Sequence, residues 1–219
     1  MCHGSCVIFG AKNLSAEDIK GKKVLEVGAC DYANSLRLIV EAYHPSEYVG
    51  VDMKKGPGVD VVCNAENLVE RFGKDSFDVV ISTGTLEHVR DWKKVVSNIK
   101  NVCKPNGIIL ITAPSKGFPY HAYPYDFWRY ELDDVKNIFS DFEVLVIEND
   151  FQTPGIMLKV KKPGKFTEKD LSGYKMYSII ENERTNKVTS SIVKNRRLVR
   201  TIIKDLSKRA INKAKRTIK

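Results

Sequence analysis

Short β-branched runs alternate with helix-like segments along most of the chain. Residues 23–31 and 48–53 form two such runs, which place Glu26 and Asp52 near their ends and have a helical pattern between them. Strands of a parallel sheet are buried on both faces, so a carboxylate there is costly unless it lies at a strand end and meets a partner. The pattern predicts a βαβ unit with a ligand site at its carboxyl edge.

The alternation continues beyond this unit. A helix start is indicated at Ser15, with Glu17 and Asp18 in its first turn. Apolar periodicity then predicts helices over 34–43, 91–103 and 132–139, and strands over 59–63, 76–82, 107–112, 142–148 and 155–160. Strands that alternate with helices predict an α/β fold with a largely parallel sheet.

The glycines after the first strand restrict the ligand. A dinucleotide site needs three glycines so that a pyrophosphate can approach the backbone, and only Gly28 is present here. A ligand with a ribose and a base but no phosphate does not need the other two. S-adenosylmethionine fits this description, with Asp52 at its ribose and Glu26 or Asp31 near its positive end.

Five linked segments resemble the successive motifs of class I S-adenosylmethionine-dependent methyltransferases, in a type 11-like subgroup. They are LEVGACD, VGVDM, the run from Cys63 to Glu66, FDVVISTGTLEHV and KPNGIILITAP. Their order and spacing match the family over residues 22–162, although the first motif keeps only one of its usual three glycines. The resemblance implies a Rossmann-like seven-stranded sheet with helices on both faces and S-adenosyl-L-methionine as cofactor.

The resemblance also implies cofactor contacts at the strand ends. The backbone around Gly28 would approach the methionine portion, Met53 the face of the adenine, and Asn64 and Ala65 its edge. Core filling is the alternative role for Met53. The expected cofactor-binding residues are Glu26, Gly28, Ala29, Cys30, Asp52, Met53, Asn64, Ala65, Thr83 and Gly84.

Glu87 and His88 follow the fourth predicted strand. A histidine there can take a proton from an attacking oxygen or nitrogen, because its reference pKa lies near working pH. Methyl transfer also proceeds largely by positioning and water exclusion, so a base is not obligatory. In the resembling family this segment often shapes the cofactor pocket, and both roles stay open for His88.

The connection over residues 117–130 is unusually aromatic, and loops over a carboxyl edge commonly carry function. Aromatic walls with polar groups suit a cyclic acceptor such as a sugar or a phenol. A packed lid in which Arg129 pairs with Asp126 or Glu87 is the alternative. The expected catalytic residues are His88, His121 and Asp126, and the expected acceptor-binding residues are His3, Tyr125, Trp128 and Arg129. The CHxSC opening and the PYDFWRY run resemble a subgroup with members in surface-glycan pathways.

The N-terminal 22 residues are expected to form a cap segment over the cofactor mouth. Cys2, His3 and Cys6 could ligate zinc, but a structural site needs four ligands and no second pair follows at finger spacing, so no metal is expected. An odd total of five cysteines does not indicate a disulfide framework. No apolar run reaches membrane-span length and no secretory signal is visible, so a cytoplasmic location is expected.

The positive charge lies in the C-terminal tail. Of the net +9 charge, residues 187–219 contribute 12 Lys and Arg against Asp205 alone. Their apolar residues share one helical side, which predicts a basic, partly amphipathic extension over 164–219 after a methyltransferase domain over 23–163. Such a helix can contact an anionic membrane at its inner surface, an acidic partner or nucleic acid, or it can pack on its own domain.

Together these features predict a methyltransferase that acts on a small-molecule or glycan- or lipid-linked acceptor, by O-methylation. An RNA methyltransferase is the alternative suggested by the basic tail. A non-catalytic protein with a cofactor fold, tethered through that tail, and an NAD-linked or nucleotide-sugar oxidoreductase are further alternatives. The missing glycines argue against the oxidoreductase.

Overall fold

The structure, a computed structural model, describes residues 4–30, 35–122 and 124–189, and in the tail 199, 202, 203, 206 and 207. Its centre is a mixed sheet of seven strands. The strands in chain order are β1 (Lys23–Val27), β2 (Glu47–Asp52), β3 (Val61–Val62), β4 (Phe77–Thr83), β5 (Cys103–Pro114), β6 (Trp128–Arg129), β7 (Glu143–Asn149), β8 (Gly155–Lys161), β9 (Met176–Ser178) and β10 (Glu183–Thr185).

The main sheet has the order β3-β2-β1-β4-β5-β8-β7. Strands β1 to β5 run parallel, and β8 is antiparallel to its neighbours β5 and β7. Leu25 of β1 lies opposite Val49 on one side and Val80 on the other. The predicted seven-stranded sheet is confirmed, and the carboxyl ends of β1, β2 and β4 meet at one edge.

Helices cover both faces of the sheet. They are α1 (Gly4–Asn13), α2 (Ala16–Ile19), α3 (Arg37–Glu41), α4 (Leu68–Phe72), α5 (Trp92–Val102) and α6 (Leu132–Ile138), with short 3-10 turns at Ala65–Asn67 and Leu86–His88. Phe9, Ile19 and Val40, from the first three helices, pack in one apolar cluster. The stripe predicted for α5 is buried in the other cluster, and Asp91 caps its first turn by accepting from the Lys94 amide at 3.1 Å.

The N-terminal segment, predicted as a cap over the cofactor mouth, contains a helix, and its role as a cap stays a prediction. Residues Gly4–Asn13 form helix α1, which buries Phe9 and brings Gly10 so close to α3 that an added Cβ would lie 2.3 Å from the Leu36 side chain. The helix start at Ser15 is confirmed, because Ser15 and Asp18 form a reciprocal capping box. The segment therefore packs on the sheet as part of the domain.

Residues 164–189 also differ from the prediction, which assigned them to a helical extension. Strands β9 and β10 lie there and form a second, three-stranded sheet with β6. Leu171, Met176, Ile180 and Val188 are buried in the main apolar cluster. The folded domain therefore extends past 163, because these apolar side chains complete its core.

Most of the predicted basic helix, residues 190–219, lies outside the described residues. Val199, Ile202, Ile203, Leu206 and Ser207 have helical conformation. Ile202 is buried, whereas Ile203 and Leu206 are exposed. Among the described residues, no helix is both long and apolar enough to span a membrane.

Candidate functional site

The turn after β1 passes very close to the end of β4. Gly28 has a φ of 83°, and an added Cβ would lie 2.0 Å from Thr85 Oγ1. The amides of Gly28 and Ala29 both donate to the Val51 carbonyl at 2.9 Å. Thr85 Oγ1 donates to the Val27 carbonyl at 3.2 Å and holds the turn from the other side. Only glycine fits here, for reasons of both backbone conformation and space.

The two residues after Gly28, Ala29 and Cys30, of which Cys30 replaces the motif's second glycine, pack against glycines elsewhere in the fold. A Cβ added to Gly56 would lie 2.5 Å from Cys30 Sγ, so the thiol fits only because residue 56 is glycine. The buried Ala29 methyl likewise packs against Gly50, whose added Cβ would lie 2.9 Å away. The departure from the usual motif is therefore compatible with a close-packed turn at the cofactor edge.

The end of β2 offers a carboxylate and an exposed thioether. Asp52 is half-buried, and its Oδ1 accepts from the Lys54 amide at 3.0 Å. Met53 is 57% exposed, which excludes core filling. The Cys63 amide donates to the Asp52 carbonyl at 2.9 Å, so Asn64 and Ala65 follow directly beside this edge.

The Asn64 and Ala65 side chains are held differently. Asn64 is exposed, and its Oδ1 accepts from the Glu66 amide at 3.0 Å, whereas Ala65 is buried at the start of a 3-10 turn. Asn64 can still offer its amide nitrogen, while Ala65 can offer only backbone groups or an edge of its methyl. Their adenine contacts stay predictions.

Glu26 lies beneath the turn and is buried. Tyr48 donates to its Oε2 at 2.6 Å, and Ser35 Oγ lies 3.2 Å from the same oxygen. Burial raises the pKa of Glu26, although the hydrogen bonds from Tyr48 and Ser35 oppose the shift. Its carboxylate is therefore already satisfied by the protein, and a direct contact with the cofactor stays a prediction.

A small, open cleft adjoins this edge at the ends of β4, β5 and β8. Gly84 and Glu87 line it after β4, Thr112 lines it from β5, and Phe118 lines it from the aromatic loop. Thr83 is buried, and Gly84 has a φ of 60° that favours glycine. Cys6 of α1 also lines the cleft, so the N-terminal segment contributes to it.

Three polar side chains converge beside this cleft. His88 Nε2 and His121 Nε2 lie 3.3 Å apart. Glu87 Oε1 lies 3.5 Å from the former and 3.9 Å from the latter. Sequence analysis considered Glu87 only as a partner for Arg129, although its position next to His88 is the signal that it shares this site.

The outer ring nitrogens of both histidines face acceptors. His88 Nδ1 lies 2.5 Å from the Tyr125 carbonyl, and His121 Nδ1 lies 3.1 Å from Asp126 Oδ2. A carbonyl or carboxylate oxygen can only accept, so each Nδ1 carries the proton. The lone pair of each neutral ring is then on Nε2, on the side of Glu87.

Asp126, which was predicted to be catalytic, and Trp128 and Arg129, which were predicted to bind the acceptor, are all buried and face the protein instead. Arg129 donates to both Asp126 oxygens, at 2.6 and 2.9 Å. Burial opposes ionisation, but the Arg129 and His121 hydrogen bonds outweigh it and lower the pKa of Asp126 to about 2. Asp126 is therefore a positioning residue for His121, which is the packed-lid alternative, and Trp128 and Arg129 form β6.

Two residues that were predicted to bind the acceptor remain, Tyr125 and His3. Tyr125 is 56% exposed and is available to a ligand, so its role stays a prediction. His3 lies outside the described residues. Phe118 was not among the predicted site residues, yet it lines the cleft and packs edge-on against His121 with ring centroids 5.2 Å apart. Its position within the aromatic run was the available signal.

Comparisons with known proteins bear on the family and the fold of the chain. The chain is 41% identical over 51 residues to phosphoethanolamine N-methyltransferase 2 of Caenorhabditis elegans, a match that spans 23% of this chain and only 12% of that protein. The fold is similar to a 1,6-didemethyltoxoflavin N1-methyltransferase of Burkholderia thailandensis with S-adenosylhomocysteine bound, at 14% identity and a TM-score of 0.57, covering 73% of this chain and 76% of that one. It is also similar to the [4+2]-cyclase SpnF, at 15% identity and a TM-score of 0.54, covering 68% and 79%.

The family model described as a methyltransferase domain matches residues 9–152, which is more than half of the chain. That span contains the Gly28 turn, the end of β2 and the Glu87 and His88 pair. The close-packed turn, the half-buried Asp52 and the exposed Met53 suit the sulfonium cofactor of this family. The chain thus belongs to the class I S-adenosylmethionine-dependent methyltransferases, and S-adenosyl-L-methionine is its cofactor.

Proposed function

We propose that the protein methylates a hydroxyl oxygen of a small-molecule or glycan- or lipid-linked acceptor. The observation that supports this most is the pair of imidazole Nε2 atoms of His88 and His121 beside the cleft. A neutral imidazole nitrogen with a free lone pair can accept the proton of a hydroxyl. An alcohol needs this help more than an amine, because it is a weak nucleophile while protonated.

Each residue then has a distinct part in the reaction. When bound, S-adenosyl-L-methionine supplies an electrophilic methyl group. Asp52 would hold the ribose hydroxyls, and the backbone at Gly28 would lie along the methionine portion. Phe118 and Tyr125 would flank the acceptor, and the imidazoles would take its proton. The closeness of the cleft to the ends of β1 and β4 supports in-line positioning.

The test is methyl transfer to sugars, phenols and a cell extract from isotopically labelled cofactor, with the product bond identified by mass spectrometry and NMR. We expect a methyl ether. His121→Ala should lower kcat/KM for the acceptor by about 10²–10⁴-fold, the usual contribution of a general base, with unchanged affinity for S-adenosylhomocysteine. His44→Asn, an exposed histidine outside the site, is the matched control.

A methylated nitrogen or carbon in the product would contradict the proposal. Phosphoethanolamine belongs in the screen, because one relative is by name an N-methyltransferase of that compound. Undiminished turnover by His121→Ala would exclude the imidazole from the reaction. Methylated RNA as the product would favour the alternative suggested by the basic tail.

We further propose that the tail holds the protein at an anionic membrane surface. Its 12 basic residues and the exposed Ile203 and Leu206 support this. The truncation should follow residue 189, because Val188 is buried and its carbonyl accepts from Arg90 at 3.1 Å. Removal of residues 190–219 should abolish binding to anionic liposomes and leave S-adenosylhomocysteine affinity unchanged. Liposome binding that survives the truncation would contradict this role.

A further inference from the structure

The ligand atoms of Glu87, His88 and His121 form a compact triangle. Its edges are 3.3, 3.5 and 3.9 Å. A point equidistant from the three atoms lies about 2.1 Å from each, since that is the circumradius of such a triangle, and Zn–N and Zn–O bonds are about 2.0–2.2 Å long. The side chains therefore stand at coordination distance from a common centre.

The histidines are held from behind in the way that metal-ligating histidines are. The Tyr125 carbonyl accepts from His88 Nδ1, and the Asp126 carboxylate accepts from His121 Nδ1. Such outer partners fix the tautomer and the ring orientation and raise the basicity of the ligating nitrogen. Asp126 is itself fixed by Arg129 at 2.6 Å, so the orientation of His121 does not depend on solvent.

The carboxylate supplies an independent indication. Glu87 is 2% exposed, and its Oε2 accepts no hydrogen bond from any described residue. A buried carboxylate with an unsatisfied oxygen is costly unless it is paired with a cation or coordinates one. The nearby Arg129 cannot supply that charge, because its nitrogens are engaged by Asp126 and by the carbonyls of Phe118 and Pro119.

Between two neutral rings the Nε2 lone pairs face each other at 3.3 Å next to a carboxylate oxygen, an arrangement that needs either a shared proton or a cation. A cation at the centre of the triangle removes this repulsion. Two imidazole nitrogens and one carboxylate form a donor set that suits zinc and related first-row ions, whereas magnesium and calcium prefer oxygen ligands alone. Three protein ligands with one open position are typical of catalytic zinc sites.

We propose that Glu87, His88 and His121 bind one divalent first-row transition-metal ion, best matched by Zn²⁺, with its open position toward the cleft lined by Gly84 and Thr112. These three ligands differ from Cys2, His3 and Cys6, the residues that the sequence alone offered as zinc ligands. Binding of the ion is independent of the proposed function.

The role of the ion rests on the proposed function and deepens it: with both Nε2 lone pairs bound to the metal, the ion replaces the imidazoles in activating the acceptor hydroxyl. An acceptor hydroxyl that coordinates Zn²⁺ loses its proton to solvent water more readily, because the ion lowers the pKa of a bound oxygen. The acceptor oxygen then forms a bond to the methyl carbon as the S–CH₃ bond breaks. The electron pair of that bond returns to sulfur, and the products are a methyl ether and S-adenosylhomocysteine. The expected acceptor is therefore an alcohol or a phenol whose hydroxyl oxygen can coordinate the ion.

The test is calorimetric titration of full-length, chelator-treated protein with ZnCl₂, followed by Co²⁺ substitution and visible absorption spectroscopy. We expect one Zn²⁺ per chain and the absorption of four-coordinate Co²⁺. Glu87→Gln and His121→Ala should each weaken Zn²⁺ binding by more than ~100-fold, and Asp126→Asn, which changes the outer partner of His121 together with the charge partner of Arg129, by about 10- to 100-fold.

His44→Asn and the double variant Cys2→Ser/His3→Ala serve as controls and should bind Zn²⁺ as the parent does. S-adenosylhomocysteine affinity, measured on every variant, reports whether the domain is folded, and His88→Gln replaces any variant that is not. Absence of stoichiometric binding would overturn the site, as would full binding by Glu87→Gln and His121→Ala. Loss of binding in Cys2→Ser/His3→Ala would place the ion elsewhere.

Methyl-transfer assays with and without Zn²⁺ separate the two proposals. Zinc binding together with a methylated nitrogen or carbon would overturn the proposed function while the metal site stands. A methyl ether formed at the same rate by the chelated and the zinc-loaded protein would overturn the catalytic role of the ion.

Discussion

At the scale of single residues, the close passage of the Gly28 turn past Thr85 sets the shape of the cofactor edge. Position 28 needs glycine both for its left-handed backbone and for the lack of space for a side chain. A second glycine in this chain has only the first of these requirements. Gly21 also has a positive φ, of 68°, but nothing lies within 4 Å of the Cβ that could be added there.

Gly28→Ala should destabilise the domain more than Gly21→Ala. Both variants force an L-residue into the left-handed region, at about 1–2 kcal/mol, and only Gly28→Ala adds overpacking against Thr85, at about 1–3 kcal/mol more. Urea unfolding of the two variants measures the difference. Equal losses of unfolding free energy would mean that the turn relaxes away from Thr85, whereas Thr85→Ser should partly rescue Gly28→Ala.

The sequence allowed some of these residues to be predicted and others not. Gly28 and Asp52 could be predicted because they occupy fixed positions in strand-end motifs. The burial of Trp128 and Arg129 could not, because it depends on pairing with Ser178 and Tyr177, some fifty residues later in the chain. The convergence of Glu87 with His121 likewise depends on how the aromatic loop folds back over the 3-10 turn Leu86–His88.

At the scale of secondary-structure elements, the helices with a clear local sequence signal were predicted. The capping residues Ser15 and Asp18 marked α2, and the apolar stripe marked α5. Helix α1 was not predicted, since its buried face is built largely from small residues such as Ser5, Cys6 and Gly10. The two-residue strand β6 has no periodicity that could be recognised and exists only through its pairing with β9.

Helix α2 is fixed to β8 by an ion pair, which gives a pH prediction. Asp18 Oδ2 lies 2.9 Å from Lys159 Nζ. Burial alone would raise the pKa of Asp18, but hydrogen bonds from Lys159 and Ser15 outweigh it and lower the pKa. A lowered folded-state pKa contributes stability above the unfolded value of about 3.9, and this contribution is lost as pH falls through the folded-state value.

Asp18→Asn should therefore be less stable than the parent at neutral pH, and the two should converge as pH falls through the lowered folded-state pKa of Asp18. Urea unfolding as a function of pH measures this difference. Glu17→Gln, an exposed acid on the same helix, should differ from the parent by an amount that changes little with pH. A pH-independent difference for Asp18→Asn would show that capping, rather than the ion pair, accounts for its effect.

At the scale of the whole molecule, one sheet edge brings together everything that the family's chemistry requires. The ends of β1 and β2 face the cofactor side, and the ends of β4, β5 and β8 border the cleft. Linked motifs made this sheet predictable, because their order along the chain fixes the strand order. The extent of the domain was less predictable, since residues 164–189 contribute scattered apolar side chains such as Leu171 and Met176 to a core formed elsewhere.

The central claim is that S-adenosyl-L-methionine binds at this edge with its ribose on Asp52, and calorimetric titration with S-adenosylhomocysteine tests it without any acceptor. We expect binding that Asp52→Ala weakens by about 2–3 kcal/mol, because both ribose hydroxyls lose a charged acceptor. Glu47→Ala, an exposed acid at the opposite end of β2, should bind as the parent does. No binding to the folded full-length protein, or equal affinity in Asp52→Ala, would contradict the account.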